Sequence, residues 1–409
     1  CNRSDAGTNI TTPWSAKFNT LTATLKTAVD VCSYSSAGTY TAKVVVEKGT
    51  LVAEARDVIT VTSVPTPPPP PSPTPTPPSQ SNMNNAWISP QELAKLPTNG
   101  AAWDSMLAVA RGSLGTANIS NQDSTHDTKV LAAALVAART GDQAMRDKAL
   151  AGLRSAIGTE AGARWLAIGR NLGGYVIAAD VLGVPRDSDI GQWLAQFMTR
   201  TLRHNNSDKQ ITFQQSVWSS GSNASAQEGF AYTALSVYLG RHDLLDWSWT
   251  AFRRYAGDRT SSHHISSNND AWQEIPSDPV GIQNKGSVKN GCRLDGAISN
   301  DMGRGGTNIC LPGYTSYPWV GIEGAIPAAV IFAQQGYPAW DVADKAPYRA
   351  LDFLLYVRQK TGNTAWFDGS RASESIFLVN RAYNATFPII LPVGEGRVLG
   401  FTDWTHGGR

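Results

Sequence analysis

Residues 129–158 read KVLAAALVAARTGDQAMRDKALAGLRSAIG. Apolar residues recur at helical spacing on both sides of Thr140-Gly141-Asp142, and the Gly-Asp pair is a chain-reversal signal between two periodic runs. The stretch predicts two helices joined by a tight turn. The same texture returns at 162–183, 230–258, 319–362 and 370–388. Turns centred on Gly141, Gly240 and Gly336 separate the paired segments. Repeated αα-hairpins with few strands predict a mainly α fold, an α/α toroid in which hairpins form an incomplete helical barrel. Long aromatic and Gly-rich loops at 201–225, 259–318 and 395–409 favour a ring over an irregular bundle, because in a ring such loops meet at one end.

Upstream of the helices the texture changes twice. Residues 64–80, VPTPPPPPSPTPTPPSQ, lose backbone donors and hold φ, which predicts a semi-rigid extended spacer. Before it, residues 38–63 alternate and are rich in Val and Thr, the pattern of strands joined by turns. The expected organisation is a small β-rich, sandwich-like module over 1–63, a linker over 64–84 and a helical catalytic domain over 85–409.

The charge balance, with 35 Lys and Arg against 33 Asp and Glu, provides no broad basic field and argues against a nucleic-acid partner. No segment is long and apolar enough to span a membrane. The four cysteines, Cys1, Cys32, Cys292 and Cys310, match no zinc spacing and divide into two local pairs. Two disulfides, Cys1–Cys32 and Cys292–Cys310, fit an oxidising compartment, so a secreted, monomeric protein is expected.

No phosphate-binding glycine loop, dinucleotide fingerprint, zinc-protease helix or nucleophile elbow is present. The polar residues that remain cluster in the loops. Residues 216–232 read SVWSSGSNASAQEGFAY and place Trp218, Asn223, Gln227 and Glu228 at the start of a helix. His263 and His264 adjoin Asn269 and Trp272. Asp295, Asp301 and Arg304 share one Gly-rich loop, followed by Tyr314, Tyr317 and Trp319. His204 and His406 lie in two further polar segments, His126 opens a helix, and His242 reads as a solvated turn residue.

Such a set suits a uronic acid sugar. Neutralising the sugar carboxylate with Asn, Gln, His or Arg lowers the cost of removing the C5 proton. Tyr or His then serves as base and acid. A competing reading takes Glu228, Asp295, Asp301 and Glu323 as the acid/base carboxylates of an inverting glycoside hydrolase, which need a separation of about 5–9 Å. A non-catalytic glycan-binding protein is a third reading.

Several segments in order resemble the bacterial polysaccharide lyases with an alginate-lyase-like toroid. They are 126–142, 163–183, 278–306, 314–341 and the closing GRVLGFTDWTHGG. Residues 33–63 resemble the last strands of polycystic-kidney-disease-type, immunoglobulin-like repeats. The first resemblance implies β-elimination on an anionic polysaccharide such as alginate or glucuronan. It implies no required cofactor, with a divalent cation left unassigned. Asn223 matches the second Asn of the relatives' Asn-Asn-Trp-Gly motif, the usual carboxylate neutraliser. Ala224 and Ser225 replace its Trp and Gly. Gln227 stands where relatives can carry His, and Gln donates hydrogen bonds but takes no proton. The base role then passes to Tyr314, Tyr317, His263 or His264. Trp218, Gln227, Glu228, Asn269, Trp272, Asp295, Arg304, Trp319, His204 and His406 are the expected substrate contacts. Val320 and Glu323 stand where relatives tend to have Glu and Gln.

Overall fold

A computed structural model describes residues 14–18, 21–25, 38–48, 51–61 and 85–407. The chain divides into two compact units, Cys1–Thr76 and Pro77–Arg409. In the first, β1 (Trp14–Phe18) pairs antiparallel with β2 (Leu21–Leu25), and β3 (Gly38–Lys48) with β4 (Leu51–Val61). The second pairing runs from Gly38↔Val61 to Lys48↔Leu51, as the alternating Val and Thr residues favour. Each sheet has two strands. Cys1, Cys32 and the proline-rich segment lie outside the described residues.

The second unit is mainly α-helical. Its helices are α1 (Pro90–Leu93), α2 (Ala101–Arg111), α3 (His126–Thr140), α4 (Gln143–Ala156), α5 (Trp165–Val181), α6 (Asp189–Gln196), α7 (Phe213–Ser216), α8 (Asn223–Leu239), α9 (His242–Tyr255), α10 (Ser299–Met302), α11 (Tyr317–Gln334), α12 (Val342–Thr361), α13 (Ser373–Tyr383) and α14 (Thr402–Thr405). Two short hairpins, β5 (Thr201–Arg203) with β6 (Gln210–Thr212) and β7 (Val288–Lys289) with β8 (Cys292–Arg293), lie in the long loops. The hairpin that opens the sequence reading is α3–α4. Gly141 ends α3 in the left-handed conformation and the Asp142 side chain caps α4.

Helices α3, α5, α8, α11 and α13 pack side by side in chain order, and α4, α9 and α12 each pack against the helix before them. α5, α8 and α11 are buried on nearly every face, as expected for helices apolar all round. Glycine lets them approach closely. A Cβ at Gly169 would lie 2.7 Å from the backbone nitrogen of Glu228, and one at Gly324 2.5 Å from that of Gln227. Gly169 meets Glu228 and, one turn on, Gly173 meets Phe230, so α5 and α8 run in the same direction. Likewise α13 follows α11: Ser375 Oγ donates to the Ile322 carbonyl near their starts, and Leu378 and Arg381 lie with Val330 and Gln334 near their ends.

Residues 85–87 cross the C-terminal ends of these helices. The Ala86 N–H donates to Asp180 Oδ2 at 2.8 Å, and Gln334 Nε2 donates to the Trp87 carbonyl at 2.5 Å. The chain's last segment returns to the body. Trp404 is buried, its indole N–H donates to the Pro97 carbonyl, and its ring packs on Trp103. Cys292 and Cys310 form a disulfide across the Gly-rich loop. Among the described residues, no helix is long and apolar enough to cross a membrane.

Candidate functional site

The polar start of α8 faces inward. Asn223 is 5% exposed; its backbone N–H and side-chain amide both donate to Asp301 Oδ1, at 3.1 and 2.7 Å. The anion held at this helix N-terminus is therefore the protein's own carboxylate. Burial still pushes Asp301 up to about 7, with the two Asn223 donors pulling the other way. Asp301 Oδ2 and the Tyr255 hydroxyl are both buried, border Gly321 and have no hydrogen-bond partner among the described residues. Glu228 is equally internal. It accepts from Asn205 Nδ2 at 2.8 Å and from the Ser216 hydroxyl, and burial pushes it up to about 8.

One turn into α8 the character changes. Gln227 Oε1 accepts from Arg170 Nε at 2.8 Å, and Gln227 Nε2 donates to the Val320 carbonyl at 3.2 Å. This amide ties α5, α8 and α11 together and orients the guanidinium. Arg170 is 5% exposed, and its Nη1 has no hydrogen-bond partner among the described residues. Burial and the neighbouring Arg397 pull Arg170 down to about 10, while Glu323, Asp123 and Tyr317 oppose that shift. It stays charged at neutral pH.

Glu323 feels Arg397, Arg170 and Arg371, yet burial dominates and raises its proton affinity. Glu374, in the first turn of α13, is raised by burial and by Glu323 itself. Two buried carboxyl groups that repel one another resist being charged together, so both are pushed toward the protonated form. Glu323 Oε2 and Glu374 Oε1 have no hydrogen-bond partner among the described residues. Arg397 pairs with exposed Asp123 at 2.9 Å, and Arg371 is exposed. Arg304 lies over the Tyr317 ring, 5.0 Å from its centroid. Across α3, Thr128 donates to Glu395 at 3.0 Å. With ionisation of the carboxyl pair suppressed, the guanidinium groups of Arg170, Arg304, Arg371 and Arg397 outweigh Asp123, Glu395 and the remaining charge. The starts of α5, α8, α11 and α13 add positive dipole ends to the same region.

His126 is buried, and its Nδ1 is 2.8 Å from the Tyr175 hydroxyl. Desolvation, then Lys129, lowers its proton affinity. Beside it Asp127 is fully buried, neither of its oxygens has a hydrogen-bond partner among the described residues, and desolvation raises its pKa strongly.

The other residues singled out by sequence are scattered. Trp218, Trp272 and Trp319 are core residues whose indole N–H groups donate to Ser248 Oγ, the Gly306 carbonyl and the Trp366 carbonyl. Asp295 pairs with Arg349 at 2.8 Å. Asn269 packs its amide against Gly303. His263 is half-buried with Nε2 3.2 Å from the Trp218 carbonyl, and burial lowers its proton affinity. Its neighbour His264 is exposed. Tyr314 packs edge-on to Trp366. His204 accepts from the Asn206 N–H. His406 lies beside Trp87 near the C-terminal end of α11.

Of the sequence candidates, Tyr317, Arg304, Gln227 and Glu323 come together. Arg170, Arg371, Arg397 and Glu374 join them and were missed. A signal for Arg170 existed, since it is the lone basic residue in the largely apolar run WLAIGRNLGGYVIAADV. Among the described residues, no group of three or more His, Cys, Asp or Glu side chains is placed to hold a metal ion. No family model, characterised protein or solved structure matches this chain.

Proposed function

We propose that the chain is a polysaccharide lyase that cleaves a uronic acid-containing polymer by β-elimination, on an α/α toroid whose inner helices begin at the active-site end. The observation that carries this reading is the meeting of a buried, incompletely satisfied arginine, Arg170, with Tyr317 and Glu323, under an excess of guanidinium charge. A sugar carboxylate placed against Arg170 and Arg397 is neutralised as negative charge develops on it in the transition state. In its phenolate form Tyr317 removes the C5 proton. The C4–O bond breaks, its electron pair stays on the departing glycosidic oxygen, and that oxygen takes the same proton back from the Tyr317 hydroxyl, which restores the phenolate. The new end carries a C4=C5 double bond. Glu374, kept protonated beside Glu323, limits the anionic charge that the incoming carboxylate meets. The Cys292–Cys310 disulfide supports an extracellular setting.

A second reading has one specific observation in its favour. Burial raises both Glu323 and Glu374, and Glu323 raises Glu374 further, so Glu374 is kept toward the protonated form that the general acid of an inverting glycosidase requires. An ultraviolet absorbance screen over alginate, glucuronan, hyaluronan, pectate and neutral glucans separates the two. Growth of the unsaturated-uronide chromophore on an acidic polymer is the expected result. New reducing ends without that chromophore, abolished in Glu374→Gln, would replace the lyase by a hydrolase. Polymer retention in affinity electrophoresis with no cleavage would leave a binding protein.

A further inference from the structure

A cavity of about 550 Å³ lies at the end of α11 remote from Tyr317. At 1.5 Å per residue, its wall at Gln334 is roughly 16 Å along the helix from Glu323. Its floor is apolar, formed by Val330 and Leu378, and Trp340, Arg381, Glu92 and His406 stand around it. Trp340 is half-buried and fixed in place. The Tyr383 ring meets it edge-on at 5.7 Å, and the Tyr383 hydroxyl donates to its carbonyl. Arg381 is exposed at the end of α13, and no hydrogen bond or ion pair to its guanidinium is found among the described residues. Glu92 is committed to a capping box, in which its Oε2 accepts from the Ser89 N–H at 3.1 Å and the Ser89 hydroxyl at 2.7 Å.

These features select a ligand class. Among the described residues, the available guanidinium of Arg381 beside a carboxylate suits a singly charged anion better than a phosphate, which would draw on more positive charge and be repelled by Glu92. Glu92 Oε2 already accepts twice from Ser89, which makes this carboxylate a poorer partner for the ammonium of an amino acid. An aromatic ring over an apolar floor suits the C–H face of a pyranose. We propose that this cavity is a second saccharide site that takes one uronate residue, with Arg381 on its carboxylate and Trp340 against its ring. The site does not depend on chemistry at the Arg170 end.

Isothermal titration of the full chain with sodium glucuronate tests it, with glucose and glycine as comparison ligands. To keep the two ends apart, each titration is repeated in Arg170→Gln. Binding in the millimolar range is expected to survive Arg170→Gln, and to weaken at least about tenfold in Arg381→Gln, the loss of one charge-assisted contact. Trp340→Phe should weaken it less, because a smaller aromatic face remains. Arg381 is exposed, so its replacement leaves the fold intact. Unchanged binding in Arg381→Gln, binding abolished by Arg170→Gln, equal affinity for glucose or glycine, or no binding at all would each overturn the proposal. An inactive result in the polymer screen would leave it standing.

Discussion

Gln227 accepts from Arg170 Nε through its Oε1 and donates from its Nε2 to the Val320 carbonyl, so one side chain sets the position of the buried guanidinium between three helices. Arg170→Gln is expected to lower turnover on the responsive polymer by about 100-fold or more, as for the loss of one donor to developing charge. Arg170→Lys should not restore it, because ammonium lacks the planar fork. Gln227→Ala should cost less and act on KM and kcat together. Wild-type kinetics in Arg170→Gln would remove this cluster from the mechanism.

Two tyrosines three residues apart have different surroundings. Tyr317 lies in the field of Arg170 under Arg304, whereas Tyr314 packs its ring on Trp366. Tyr317→Phe is expected to abolish elimination and Tyr314→Phe to keep most of it, measured as initial rates of chromophore formation. The opposite ranking would move the base role to Tyr314.

The buried acids make stability depend on pH with a definite sign. Glu228 is raised from 4.5 to about 8 and Asp301 from 3.8 to about 7, in both cases chiefly by burial. Between the unfolded and folded values the native state binds more protons than the unfolded chain, so stability falls as pH rises. The loss runs from about pH 4 to about pH 8. Glu228→Gln and Asp301→Asn should each flatten thermal midpoints across this window. Asn223→Ala should lower the midpoint most at the alkaline end, where ionised Asp301 loses its side-chain donor and keeps only the backbone N–H.

Gly324 sits where a Cβ would lie 2.5 Å from the Gln227 backbone nitrogen and Ala226 backbone carbon. Backbone cannot swing aside as a side chain can. Gly324→Ala should destabilise the fold by about 1–3 kcal/mol, the usual cost of overpacking. It should also weaken activity by moving Gln227. Denaturant unfolding and the rate assay report the two effects separately.

The Cys292–Cys310 bridge closes the loop that carries Asp301 and Arg304, with a sequence separation of 18. A loop of this size is worth about 3 kcal/mol of unfolded-state entropy. Cys292→Ser with Cys310→Ser should lower the thermal midpoint, and reductant should reproduce that shift in the parent chain but not in the double variant.

The helix pairs were legible in sequence because 3.6-residue periodicity and Gly turns are local signals. That is why 129–158 already contains α3, its left-handed Gly141 stop and the Asp142 cap of α4. The Cys292–Cys310 pairing was legible as well, because the four cysteines divide into two local pairs. What sequence could not tell was which polar residues spend their hydrogen bonds on the protein itself. Asn223 and Glu228 look like cleft residues in the string, and they are consumed by Asp301, Asn205 and Ser216. The tryptophans beside them read as sugar platforms and are core.

Charges at 170, 323, 371, 374 and 397 come from four separate stretches of chain, and no local pattern joins them. Composition and periodicity determined the helices, their turns and the balance of charge. Only the tertiary structure decided the site, because close packing through Gly169 and Gly324 brings distant helix starts together, and burial then sets which carboxyl groups keep their protons.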